Sequence, residues 1–169
     1  MIRFLIVAAA LTLAACHNPS VMDGMEEAEQ ASTSIPGLGA EVQEQPQTLP
    51  SGLVLQFTRR GADQTLPTPS MDASTNVHYE GSFVDGGEVF DSSFARGEPV
   101  EFPLQRVVPG FAEAITHMHP GDEVIATFPG SLGYGESGSG PIPPNAALRF
   151  RIVLLSFQEP GGQTVSAPQ

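Results

Sequence analysis

The spacing of the aromatic residues limits what this chain can fold into more than any other feature. Tyr79, Phe90, Phe111, Tyr134 and Phe150 fall on five different predicted elements, with turn-forming residues between them. A fold that buries rings from so many elements must bring them together from different directions. The result is a hollow walled by ring faces and edges. Asp91 directly follows one of those rings and places a carboxylate beside the hollow.

The elements carrying the rings read mainly as strands. Leu53 to Phe57 is the first, followed by a loop marked by Pro67 and Pro69. From Asn76 to Phe83 the pattern alternates, with Val77, Tyr79 and Phe83 on one face and His78, Glu80 and Ser82 on the other. Asp85-Gly86-Gly87 is a hairpin signal. The next strand carries Val89 and Phe90 and gives way to a bulge or loop at Asp91-Ser92-Ser93. Val100, Phe102 and Leu104 alternate again, but Pro99 and Pro103 confine that segment to an edge or an irregular strand. Asp122 to Phe128 and Ala147 to Phe157 complete the set; in the second, Leu148, Phe150, Ile152 and Leu154 oppose Arg149 and Arg151.

One helix interrupts the strands. Phe111, Ala114, Ile115 and Met118 recur at the spacing of an apolar helical stripe. Pro109-Gly110 opens the helix and Pro120-Gly121 stops it. His117 and His119 sit near its carboxyl end, where the partial negative charge of the helix tolerates them. Two residues apart, they point to different faces, and no third metal ligand accompanies them. The expectation is an α+β domain: five or six antiparallel strands packed on one two-turn helix.

Charge narrows the choice of partners. A formal net charge of −12, with all seven basic residues arginine, opposes nucleic-acid binding, which needs clustered cations to release counterions. Without lysine there is no Schiff-base chemistry. The single cysteine, Cys16, excludes an internal disulfide.

Met1-Ile2-Arg3 followed by the apolar run from Phe4 to Ala15 has the form of a signal peptide, too short to span a membrane. The run closes on Leu13-Ala14-Ala15-Cys16, which resembles a bacterial lipobox. That resemblance implies cleavage after residue 15 and acyl chains on Cys16. A plain secretory signal with an incidental cysteine is the alternative. More than one acyl chain holds a protein on the bilayer for practical purposes. His17, rather than Asp, after the cysteine implies the outer membrane, with the body facing the periplasm or the exterior. Residues 16–50 then read as a tether, rich in Pro, Glu and Gln, whose flexible reach is about 30–35 Å. Residues 159–169 read as a disordered tail, leaving 51–158 as the domain.

Within that domain, Val77-His78-Tyr79-Glu80-Gly81, Val89-Phe90-Asp91-Ser92-Ser93, Arg96-Gly97-Glu98-Pro99, Phe102-Pro103-Leu104, Val107-Val108-Pro109-Gly110-Phe111, Leu132-Gly133-Tyr134-Gly135 and Ile142-Pro143-Pro144-Asn145 follow one another in a recognisable order. These segments resemble the FKBP-type peptidyl-prolyl isomerases, the immunophilins that bind tacrolimus and rapamycin. The resemblance implies a twisted antiparallel half-barrel wrapped around a short helix, with no cofactor and no metal. It implies a prolyl pocket lined by Tyr79, Phe90, Val107, Val108, Phe111, Tyr134 and Phe150, with Phe111 as the floor. The Val108 N–H and the Tyr134 hydroxyl would hydrogen-bond substrate carbonyls. Asp91 would stand at the rim with Arg96 as its ionic partner, and Ile142 would cover one side.

The implied partners are proline-containing polypeptides and, at reduced affinity, the macrolides. Phe111 replaces the tryptophan most common in drug-binding relatives, and the loop from Gly135 to Pro143 is one residue shorter than the usual bacterial pattern. A monomer is implied, because the long helical arm of dimeric relatives has no counterpart. The competing reading of the same hollow is a binding module, a holdase or adhesion lipoprotein that grips without turnover. From pattern alone, Tyr79, Phe90 and Phe150 also suit ordinary core packing, and Asp91 suits a turn cap.

Overall fold

The computed structural model describes residues 35–168. The signal-like segment, Cys16 and the first part of the expected tether lie outside the described residues. Strands β1 (Ala40–Glu41), β2 (Gln47–Thr48), β3 (Val54–Arg60), β4 (Ser74–Phe83), β5 (Val89–Ser92), β6 (Val100–Pro103), β7 (Glu123–Phe128), β8 (Leu148–Gln158) and β9 (Thr164–Ser166) form a single antiparallel sheet. Its main path runs β1-β3-β7-β8-β4-β5; β2 pairs with β3, β6 with β4 and β9 with β8. Among the described residues two α-helices accompany it: α1 (Ser93–Arg96) and α2 (Pro109–Thr116).

Alternation along the long strands places one face of the sheet against α2. Val124, Ala126 and Phe128 on β7, and Leu148, Phe150 and Ile152 on β8, are all buried there. The stripe of α2 closes the core from the other side through Phe111, Ala114 and Ile115, with Met118 just beyond. Gly110 is needed for this approach, because a Cβ there would lie 2.5 Å from the Phe128 ring. Removing that much apolar surface from water, at about 25 cal/mol per Å2, is the main force holding the helix in the hollow of the sheet.

Register shifts re-aim side chains at three places. Asn76 pairs with Ser156 but Val77 with Leu154, so Leu155 is an extra residue, and Leu154 and Phe157 both face the core. A second irregularity on β3 lies between Phe57 and Arg59. The third concerns the site: Gly81 pairs with Asp91 and Ser82 with Val89, leaving Phe90 as the bulged residue.

The strand and helix readings hold over the domain, with three corrections. The described parts of the expected tether and tail carry strands: β1 and β2 precede residue 51, and β9 follows residue 158. Arg59 bonds Glu41 at 2.6 Å and Arg60 bonds Glu44 at 2.7 Å, which fastens the presumed tether to β3. The presumed tail runs along β8, where the Ala167 N–H donates to the Leu155 carbonyl at 3.1 Å and the Ala167 methyl is buried. Finally, Ser93–Arg96 is a helical turn rather than a loop. The Ser92 hydroxyl caps it by accepting from the Ala95 N–H, and Gly97 ends it at φ 75°.

Candidate functional site

Phe111 opens α2 and stands at the bottom of a cup on the inner face of the sheet. Its ring meets Tyr79 at 6.0 Å, Phe102 at 5.9 Å and Phe150 at 5.2 Å, each edge to face. Phe150 in turn stacks on Phe128 at 5.7 Å and meets Phe90 edge-on at the same distance. This lattice of rings fixes the cup before any ligand arrives. The cavity measures about 260 Å3; Tyr79, Phe90, Phe111, Tyr134 and Phe150 all line it, together with Asp91, Phe102, Arg106, Val107 and Val108.

Local structure explains how these side chains converge. On a regular strand Phe90 and Asp91 would point to opposite faces, and the bulge at Phe90 lets both line the cup. The buried Ser93 hydroxyl accepts from the Tyr79 N–H at 2.8 Å and donates to the Tyr79 carbonyl at 3.2 Å, tying the start of α1 to β4 beneath the ring. Val107 and Val108 lead into α2, and Val108 is its extended N-cap. Among the described residues, no hydrogen bond uses the Val108 N–H. Tyr134 sits between two short 3-10 turns, Gly130–Leu132 and Gly135–Ser137, with its side chain partly in solvent.

The polar groups gather at the rim. The Tyr79 hydroxyl donates to Asp91, and Arg96 donates to Asp91 and, at 3.0 Å, to the Tyr79 oxygen. Burial pushes the Asp91 carboxyl up. The bonds from Tyr79 and Arg96, with the arginine charge, outweigh it and hold the acid below its ordinary range. Burial also raises the Tyr79 phenol, and its bond to Asp91 adds to the rise. Tyr134 is raised by burial and then by the charge of Asp91, so that carboxylate acts across the mouth of the cup.

Eight of the residues expected at a pocket therefore come together. Two do not line it. Arg96 stands outside, as the partner of Asp91. Ile142, expected to cover one side, is not among the residues that line the cavity and is buried with the core cluster at 6% exposed. Its loop folds back on itself, with Ser139 and Ile142 bridged and Gly138 at φ 64°, where a Cβ would strike the Ile142 carbonyl.

Two lining residues were missed. Phe102 is visible in the alternation of β6, but its ring turns into the cup. Arg106 ends the 3-10 turn Leu104–Arg106, and nothing in the sequence pattern fixes its direction. A larger cavity, about 520 Å3, lies against the outer face around His78, Phe94 and Leu155. Its rings are a single stacked pair, His78 on Phe94 at 5.0 Å, and none of the five spaced aromatics lines it.

A half-barrel cupping one helix, with a ring-walled hollow and an ion-paired acid at its rim, defines the class. Residues 67–155 match the family described as FKBP-type peptidyl-prolyl cis-trans isomerase, and the chain belongs to that family. It is 42% identical over 110 residues to the FKBP-type peptidyl-prolyl cis-trans isomerase FkpA of Aeromonas hydrophila, covering 65% of this chain and 40% of that protein. It is 44% identical over 108 residues to the FKBP-type 22 kDa peptidyl-prolyl cis-trans isomerase of Escherichia coli, covering 63% of this chain and 50% of that one. The crystal structure of FkpA from Escherichia coli superposes with a TM-score of 0.61 at 29% identity, over 87% of this chain and 61% of that one. The chain thus spans half or less of the length of these two sequence relatives.

Proposed function

We propose that this protein is a peptidyl-prolyl cis-trans isomerase that assists the folding of exported polypeptides. The observation that carries the reading is the convergence of Tyr79, Phe90, Phe111 and Phe150 around one cup, with Val108 and Tyr134 also lining it. Membership of the family supports it.

Rotating an amide costs about 18–20 kcal/mol, because resonance is lost as the bond twists. In the twisted state the carbonyl is less dipolar and needs less solvation. A dry ring-walled cup therefore disfavours the planar amide more than the twisted one. Phe111 and Phe150 receive the pyrrolidine ring, while the Val108 N–H and the Tyr134 hydroxyl hold the flanking carbonyls. The Tyr79–Asp91–Arg96 cluster keeps its charge engaged at the rim, so the bottom stays apolar. Each tenfold acceleration needs only about 1.4 kcal/mol of differential stabilisation, within the range of ring contacts and one or two oriented hydrogen bonds. Uncatalysed exchange takes tens of seconds or more, slow enough to limit folding.

The proposal extends to location and ligands. Leu13-Ala14-Ala15-Cys16 supports lipidation at Cys16, and His17 supports the outer membrane. Macrolides should bind weakly to moderately, given Phe111 as a small floor. Loss of palmitate labelling in Cys16→Ala is the test of the anchor.

The test of the activity is exchange of a proline peptide followed by NMR. The protein should accelerate cis-trans exchange at substoichiometric concentration, and Phe111→Leu should lower kcat/KM about tenfold while the chain remains folded. A folded parent protein that binds the peptide without accelerating exchange would assign the cup to a holdase instead.

A further inference from the structure

The cup holds one cation that the isomerase reading leaves unexplained. Arg59, Arg60, Arg96 and Arg151 each make an ion pair with an acid. Arg106 lines the cup, and among the described residues its side chain has neither an ion pair nor a hydrogen bond. The only carboxylate lining the cup, Asp91, is already engaged by Arg96 and Tyr79. The mouth therefore carries one unneutralised positive charge on a protein of formal net charge −12.

The base of that side chain is held in place. The turn Leu104–Arg106 is pinned by the buried Leu104, whose N–H donates to the Ala73 carbonyl at 3.0 Å. Next to Arg106, the Gln105 amide donates to Asp72 at 2.5 Å. On the far side, Val107 already belongs to the wall of the cup. Arg106 therefore leaves a fixed turn beside the cup, and the residue is exposed. Arg149, the other described arginine without an ion pair, lines a different cavity beside Val54 and Ile125 and has no such relation to the rings.

We propose that Arg106 makes the cup select proline segments that carry a carboxylate side chain next to the proline. The inference rests on the isomerase reading and deepens it by naming the class of substrate. A planar guanidinium pairs with a carboxylate through two parallel hydrogen bonds and repels an ammonium at the same place. At an exposed rim such a pair changes affinity about two- to fivefold, and the effect is screened by salt. The rings then supply turnover and Arg106 supplies choice.

The experiment compares three peptides that differ only in the residue preceding proline: Glu, Ala or Lys. Exchange is measured by NMR at low and high salt, with the full chain, Arg106→Gln and Arg106→Glu. In the parent at low salt, kcat/KM for the Glu peptide should exceed that for the Lys peptide about fivefold. The ratio should approach one in Arg106→Gln, invert in Arg106→Glu, and vanish for the parent in 1 M NaCl. Equal rates for the three peptides in the parent overturn the inference and leave the isomerase reading standing. A preference that persists in Arg106→Gln also overturns it, because the charge responsible is then elsewhere. Failure to turn over any of the three sinks the isomerase reading and this inference with it.

Discussion

Adding one methyl group at Gly81 should disable the cup without touching any polar group. A Cβ at that position would lie 2.6 Å from two ring atoms of Phe90 and 2.7 Å from Phe150. Comfortable carbon contacts begin near 3.5 Å, so the two rings and the strand between them must give way by about 1 Å. Phe150 is held by Phe111 at 5.2 Å and Phe128 at 5.7 Å and is almost fully buried. Phe90, on a bulge and half-buried, is the ring that yields.

Overpacking costs about 1–3 kcal/mol in a closed core, and a ring free to swing outward puts Gly81→Ala at the low end, about 1 kcal/mol. The catalytic loss should be larger, because Phe90 leaves the wall: about tenfold in kcat/KM, equivalent to about 1.4 kcal/mol. The decisive comparison is with Phe90→Ala and the double variant, by urea unfolding and NMR exchange. Once the Phe90 ring is gone, the methyl still meets Phe150 at 2.7 Å but loses its two Phe90 contacts, so the double variant should be more stable than additivity predicts by about 0.5 kcal/mol. Strict additivity, or Gly81→Ala with parental stability and activity, refutes the packing argument.

Three further outcomes can be checked. Asp91→Leu strips the Tyr79 hydroxyl and Arg96 of their acceptor and should lower kcat/KM about tenfold, whereas Tyr79→Phe keeps the ring and should stay within about twofold. The reverse order in the same exchange assay would remove the rim acid from the account. Burial lowers the pKa of His78, so the unfolded chain takes up a proton first: the stabilisation is intact above about pH 6.5 and declines as pH falls through that value. Urea midpoints at pH 8 and pH 5.5 should differ more for the parent than for His78→Gln; equal differences reject this. Deleting residues 163–169 removes β9 and bares the end of β8, which should cost about 1–2 kcal/mol with little change in KM, and an unaltered midpoint would show the strand to be dispensable.

What the sequence made legible followed the length of each repeating pattern. Strands β4 and β8 alternate over enough residues to reveal their buried faces, and α2 has Phe111, Ala114 and Ile115 on one stripe between two proline signals. A strand of two or three residues has no period to read. β1, β2 and β9 each lie along the edge of a longer neighbour, and on the β1 side Arg59 and Arg60 also find Glu41 and Glu44. The turn α1 could have been found, since Ser92 three residues before Ala95 and Gly97 after Arg96 are a cap and a stop. At the site, the ring-bearing residues were visible through their spacing. Arg106 was missed and Ile142 falls outside the lining because a 3-10 turn and a folded-back loop set their directions, and neither has a repeating pattern.

The two ends of the described chain meet behind the sheet. Ile35 and Pro36 border the same outer cavity as Ser166 and Ala167, next to His78. His78 and Tyr79 point to opposite faces of β4, so both described ends, at Ile35 and Ala167, lie on the side away from the rings. A fusion partner or bead coupled at residue 35 or residue 168 should therefore leave the entrance clear. Any pulling force applied through both termini would load β1 and β9 first, before it reached the strands that shape the hollow.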